Sequence, residues 1–276
     1  MSEDSTHFII VTFILSAVLL PQGALCLKLL RVGVPSYTLR GDMALLQCQY
    51  DMENDRLYSV TWYKDHEEFY RYVPKSNPPQ HSYRLEGIKV DHHLSDSQQV
   101  LLKNVNLKAS GMYRCEVSAE APSFTSVHGE GRMEVVALPK EGPEITGEER
   151  IYQVGDVISL NCTSGKSFPA ARLKWYINGR PVMPDYDAVV QQHGLVTSVA
   201  GLRFEVMPHH FLSGHMQVRC VATISTGVQH SEYHDRTFPL EDNREALLLV
   251  RGSSANRRSS VLTTALIVTL SIWLVT

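Results

Sequence analysis

Two cysteine pairs, each enclosing a tryptophan at nearly the same place, constrain this chain more than any other feature. Cys48 is followed by Trp62 fourteen residues on and by Cys115 across a gap of 66; Cys162 is followed by Trp175 thirteen residues on and by Cys220 across a gap of 57. The fifth cysteine, Cys26, lies at the end of an apolar N-terminal stretch. Four cysteines admit three pairings. The tryptophan inside each half selects Cys48 with Cys115 and Cys162 with Cys220, the pattern of a two-sheet sandwich whose facing strands are bridged and whose indole packs on the sulfurs. Each bridge closes a long loop, for which chain-entropy accounting gives about 4 kcal/mol.

Alternation of side chains supports strands at the cysteines. Ala44, Leu46 and Cys48 share one face, as do Val60 with Trp62 and Val100 with Leu102. The second half repeats the theme in Ile158, Leu160 and Cys162, then Leu173 and Trp175, then Leu202, Phe204 and Val206, then Val218 and Cys220. The expected fold is all-β, two tandem immunoglobulin-like sandwiches. Tyr113, two residues before Cys115, sits where a tyrosine corner forms, and the longer first gap leaves room for strands C′ and C″ of a variable-type domain. Ala109 occupies a position that is usually acidic in such domains, so an ion pair common to them is expected to be missing. Val218 replaces the corner tyrosine in the second domain, which reads as constant-like or intermediate. Asn178-Gly179 after Trp175-Tyr176-Ile177 signals a hairpin, because both residues tolerate positive φ.

The chain of 276 residues has room for two such domains. Residues 27–139 form the first and 140–240 the second, joined through Pro139-Lys140-Glu141-Gly142-Pro143. Residues 1–26 read as a signal peptide with an apolar centre over 8–20 and cleavage before Leu27, although Glu3 and Asp4 stand where basic residues are usual. An uncleaved anchor or a different start is the alternative. Residues 241–260 read as a polar stalk and 261–276 as a hydrophobic C-terminal signal. Gly252-Ser253-Ser254 ahead of that run suits glycosylphosphatidylinositol attachment at Gly252 or Ser253, and Ser253-Ser254-Ala255 fits nearly as well. A short transmembrane helix is the alternative, or secretion.

A formal charge of −3 with scattered Lys and Arg gives no basic field for nucleic acid. The chain has no Gly-x-Ser-x-Gly elbow, no His-Glu-x-x-His and no phosphate loop. Enzyme activity, a cofactor, a metal and a small-molecule substrate are therefore not expected. Adjacent histidines at His92-His93 and His209-His210 point to opposite faces if they lie on strands. Gly129 and Gly131 read as a bulge in strand G. Asn161-Cys162-Thr163 is a glycosylation sequon, and with Cys162 inward, Asn161 points outward.

Val60-Thr61-Trp62-Tyr63-Lys64, the segment Glu67-Glu68-Phe69-Tyr70-Arg71-Tyr72-Val73-Pro74-Lys75 and Asn77-Pro78-Pro79 resemble the beaten-path family of neuronal immunoglobulin proteins. Gln99-Val100-Leu101-Leu102, the run from Ser110 to Val117, Leu160-Asn161-Cys162-Thr163-Ser164 and Leu173-Lys174-Trp175-Tyr176-Ile177-Asn178-Gly179 extend the likeness over residues 28–240. The resemblance implies a receptor in axon guidance and synaptic recognition that binds sidestep-like immunoglobulin proteins on other cells. A homophilic adhesion molecule or an immune recognition protein shares the fold. Parity places Thr61, Tyr63, Arg114, Glu116 and Ser118 on the outer face of the first domain, with Arg132 and Glu134 flanking an inward Met133. Of Phe69, Tyr70, Arg71 and Tyr72 on C′, at least one aromatic is exposed in either register. Tyr63, Phe69, Tyr70, Arg71, Tyr72, Arg114, Glu116 and Arg132 are the expected partner-binding residues, since aromatics and Arg dominate binding hot spots.

Overall fold

A computed structural model describes residues 27–149, 151–226 and 240–252. They form two compact units that divide between Ala137 and Leu138. The first runs β1 (Lys28–Gly33), β2 (Tyr37–Leu39), β3 (Ala44–Asp51), β4 (Leu57–Lys64), β5 (Glu67–Tyr72), β6 (Gln80–Ser82), β7 (Gln99–Leu102), β8 (Gly111–Ala119) and β9 (Ser126–Val136). One sheet has the order β1-β3-β7 and the other β2-β9-β8-β4-β5-β6, with β2 parallel to β9. β5 and β6 are the C′ and C″ strands expected from the longer first cysteine gap.

The second unit runs β10 (Glu144–Thr146), β11 (Ile151–Tyr152), β12 (Val157–Thr163), β13 (Arg172–Ile177), β14 (Arg180–Val182), β15 (Tyr186–Gln192), β16 (Leu195–Glu205), β17 (His215–Ser225) and β18 (Glu241–Gly252). Its sheets are β10-β12-β16-β15 and β11-β18-β17-β13-β14. Helix among the described residues amounts to three single 3-10 turns, at His92–Leu94, Leu107–Ala109 and Pro208–His210. No helix among them is long and apolar enough to cross a membrane.

The two cystines join facing sheets as the spacing predicts. Cys48 and Cys115 have Cα atoms 6.3 Å apart, and Cys162 and Cys220 6.4 Å. Trp62 and Trp175 are buried beside them, each within its domain's core. In the first core the inward residues of β3, β4, β7 and β8 are buried together with Met133 and Val135 of β9. Tyr113 closes the end of this sandwich: its hydroxyl donates to the Ala109 carbonyl at 2.6 Å, both groups buried. Burial, and more weakly the charge of Asp65, raise the phenol above its ordinary range, so it stays a neutral donor. Asn178 and Gly179 both take positive φ in the β13–β14 turn.

Two expectations are corrected. Residues 241–252 are a strand, β18, paired with β17 along its length, so the second domain extends to Gly252 and no stalk begins at 241. Ala246, Leu248 and Val250 sit opposite Cys220, Val218 and Met216 and face inward, but Leu247 and Leu249 are as apolar as their neighbours and hide the alternation. Gly129 and Gly131 make no bulge: β9 pairs with β8 without a register shift. Their role is close approach, since a Cβ at either position would come within 2.7 Å of Val32 or Val34. The terminal apolar runs, Cys26 and Ser253 lie outside the described residues.

Tyr113→Phe keeps the ring and removes only the hydroxyl. It is expected to lower the stability of the first domain by about 1 kcal/mol, the usual net worth of such a bond. Urea denaturation followed on the first-domain transition checks this, with a lower midpoint at unchanged slope as the expected outcome.

Candidate protein-recognition face

The outer face of the six-stranded sheet follows from the inward cysteine. Because Cys115 points into the core, Met112, Arg114, Glu116 and Ser118 of β8 point out, and pairing aligns them with neighbours in rows. One row reads Glu68, Tyr63, Arg114, Glu130 across β5, β4, β8 and β9; the next reads Arg71, Thr61, Glu116, His128. Tyr63, Arg71, Arg114 and Glu116 are half-buried and Arg132 is exposed, whereas Thr61 is buried beneath its neighbours.

Arg114 and Tyr63 form the centre. The guanidinium carbon lies 5.7 Å from the Tyr63 ring centroid, and Nη2 donates to Glu116 Oε2 at 2.9 Å. Arg114 Nε is buried without a hydrogen-bond partner among the described residues. A donor left so carries a desolvation cost that an incoming acceptor would relieve. Burial raises the Tyr63 phenol above its usual value, with Glu116 and Glu68 adding to the effect. Arg71 is engaged by Glu68 through two bonds, Nε to Oε1 at 2.8 Å and Nη2 to Oε2 at 2.5 Å. A depression of about 190 Å³ opens beside this centre, lined by Tyr63, His66, Met112, Arg114, Glu116 and Glu130.

The C′ aromatics do not belong to the face. Trp62 pairs with Tyr70, but Tyr63 pairs with Glu68, which leaves Phe69 as an extra residue in a bulge. Phe69 and Tyr70 consequently both turn inward and are fully buried, and Tyr72, opposite inward Val60, packs against the core. Phe69 meets Tyr113 edge-on with centroids 5.9 Å apart, and the Tyr70 hydroxyl donates to the Asp96 carbonyl at 3.1 Å. The expectation that Phe69, Tyr70 and Tyr72 contact a partner is therefore replaced by a packing role. Only Arg71 of that segment looks outward.

Sequence reasoning missed Glu68, Met112, His128 and Glu130, which the pairing register brings beside Arg114. It also missed Phe124, 75% exposed in the loop between β8 and β9 with φ of +49°. A bulky side chain is seldom held there without a constraint around it. The loop supplies one: Phe124 N–H donates to the Glu120 carbonyl, Ala119 N–H to that of Thr125 and Glu120 N–H to that of Arg56. A lone aromatic in Ala121-Pro122-Ser123-Phe124 was the available signal. Both histidine pairs lie in 3-10 turns rather than on strands, and among the described residues no three His, Cys, Asp or Glu side chains gather as a metal site.

Comparison with known proteins agrees with this architecture. Residues 36–135 match the immunoglobulin V-set domain and residues 143–224 the CD80-like C2-set immunoglobulin domain. The chain is thus built as an immunoglobulin V-set domain followed by a C2-set domain. It is 26% identical over 144 residues to Cell adhesion molecule 2 of Homo sapiens, across 52% of this chain and 30% of that protein. With Cell adhesion molecule 3 of Xenopus laevis it shares 29% identity over 93 residues, 34% of this chain and 22% of the relative. The chain thus spans less than a third of the length of these curated relatives. Among solved structures, Rst D1-D2 superposes with a TM-score of 0.53 at 16% identity, over 83% of this chain and all of that one. The ectodomain of mouse nectin-like molecule 4 does so with 0.50 at 16%, over 78% of this chain and 65% of that one. At these identities the structures share the fold.

Phe69→Ala is expected to cost the first domain about 3–5 kcal/mol, as for other buried aromatics cut to alanine. Tyr63→Ala, on the outer face, should stay within about 1 kcal/mol of the parent. Thermal or chemical unfolding of the two variants separates the roles.

Proposed function

We propose that this chain is a cell-surface recognition receptor that binds another immunoglobulin protein through the outer face of its V-set domain. The observation that carries the reading is the Arg114–Tyr63 pair: a half-buried Arg over an aromatic ring, with a buried Nε that has no hydrogen-bond partner among the described residues, at the centre of a polar sheet face. Arg and Tyr are the residue types that lose most when cut away at interfaces, about 2 kcal/mol or more at a desolvated centre. The likeness of both domains to the beaten-path family supports a heterophilic partner of the sidestep type on another cell, and a role in axon guidance and synaptic partner choice. The small residues from Gly252 and the apolar run at 261–276 support attachment to the outer leaflet through a lipid. Release from intact cells by a phosphatidylinositol-specific phospholipase C tests that attachment.

Homophilic adhesion is the second reading, favoured by relatives named as cell adhesion molecules. Beads coated with this ectodomain alone decide between the two, because only a homophilic protein clumps them.

Arg114→Glu and, separately, Tyr63→Ala should leave the protein folded and secreted while weakening partner binding at least about tenfold, or 1.4 kcal/mol. Gln47→Glu, on β3 of the other sheet, should change neither. An arrayed screen against sidestep-like ectodomains identifies the partner and supplies the assay. Normal binding by both face variants, with the second domain alone sufficient, would move the site to the C2-set domain.

A further inference from the structure

The outer face of the second domain's β10-β12-β16-β15 sheet holds a built arrangement that recognition by the first domain leaves unused. Asn161 stands exposed on β12, with Gly201 of β16 and Tyr186 of β15 in the same row. Gly201 has no side chain, and the Tyr186 ring takes the space: a Cβ there would lie 2.1 Å from it. Lying across β16, the ring brings its hydroxyl to Asn161, where it donates to Oδ1 at 2.5 Å. No hydrogen bond among the described residues engages Asn161 Nδ2. In the next rows along the strands toward the β15–β16 turn, Thr163, Val199, Ala188, Thr197 and Val190 carry no charge. The edge strand itself, β15, is exposed at every residue.

We propose that Asn161 carries an N-linked glycan whose first sugars pack on the Tyr186 ring and cover the β15 edge. The inference rests on the reading that the chain enters the secretory pathway. Asn161-Cys162-Thr163 is the sole Asn-x-Ser/Thr in the chain. In the transfer, Nδ2 attacks the anomeric carbon of an oligosaccharide linked to a lipid pyrophosphate. The carbon–oxygen bond to the pyrophosphate breaks, the lipid pyrophosphate leaves, and Nδ2 gives up one proton. A substituted amide is planar and trans, so the sugar carbon lies on the same side as Oδ1. That is the side of Tyr186. The apolar face of a sugar ring on the phenol ring, with Val190 beyond it, shields an edge that otherwise presents seven exposed residues to another chain.

The full chain expressed in animal cells tests each part. Wild type and Thr163→Ser should shift on glycosidase treatment and yield an Asn161 peptide converted to Asp; Thr163→Ala and Asn161→Gln should not. Tyr186→Ala should keep the glycan but let an endoglycosidase trim the native protein about threefold faster or more, the effect expected of one aromatic contact. Tyr186→Phe should trim at the wild-type rate, and all should trim alike once denatured. A chain that reaches the cell surface with Asn161 unmodified overturns the site alone. Equal native trimming of wild type and Tyr186→Ala overturns the packing on Tyr186. A chain that never enters the secretory lumen overturns the secretory reading and this site with it.

Discussion

The cystine between facing sheets is the constraint from which the rest of each domain follows. A strand has a side-chain period of two, so a cysteine fixed inward assigns every other residue of its strand to core or solvent. In the first domain that assignment propagates through the ladder from β8 to β4 and β9, and it sets Tyr63, Arg114 and Glu130 in one outward row. In the second domain Cys162 turns Asn161 outward by the same parity, and pairing with β16 carries the choice to Tyr186. The bridge thus does more than close a loop: it decides which residues meet solvent on strands it never touches.

This explains how much of the molecule was legible in its sequence. On β4, β8 and β9 the alternation is unbroken between Trp62, Cys115 and Met133, and the predicted outward residues stand where parity puts them. On β5 a single extra residue, Phe69, defeats the count. A bulge turns two successive residues inward, and local spacing carries no mark of it because the cause is the register with β4. The same applies to Gly129 and Gly131, whose purpose depends on how closely β1 passes. β18 failed for another reason: leucines on both of its faces erased the contrast on which a period of two depends.

The corrected C′ segment also changes what the resemblance in that stretch rests on. Phe69, Tyr70 and Tyr72 pack into the core under the six-stranded sheet, so their identities answer to packing around Trp62 and Tyr113. What they contribute to the proposed recognition face is rigidity. They hold β4 and β5 so that Tyr63 and the paired Glu68 and Arg71 are presented in a fixed arrangement, and a preordered surface loses less entropy when a partner binds.

The extension of β18 to Gly252 has a mechanical consequence. A pull on the chain beyond Gly252 runs along β18, which is joined to β17 by eleven antiparallel residue pairs and at its C-terminal end to β11 by a parallel pairing. Load in that direction shears the ladder, stressing many hydrogen bonds together instead of unzipping them one by one, and forced unfolding is governed by the barrier to that first rupture. With a lipid attached at Gly252 or Ser253, as proposed above, the chain beyond that residue is removed, and at most one residue separates this strand from its anchor. A receptor tethered there would bear the tension of a contact between cells on its longest ladder, with little slack to absorb it.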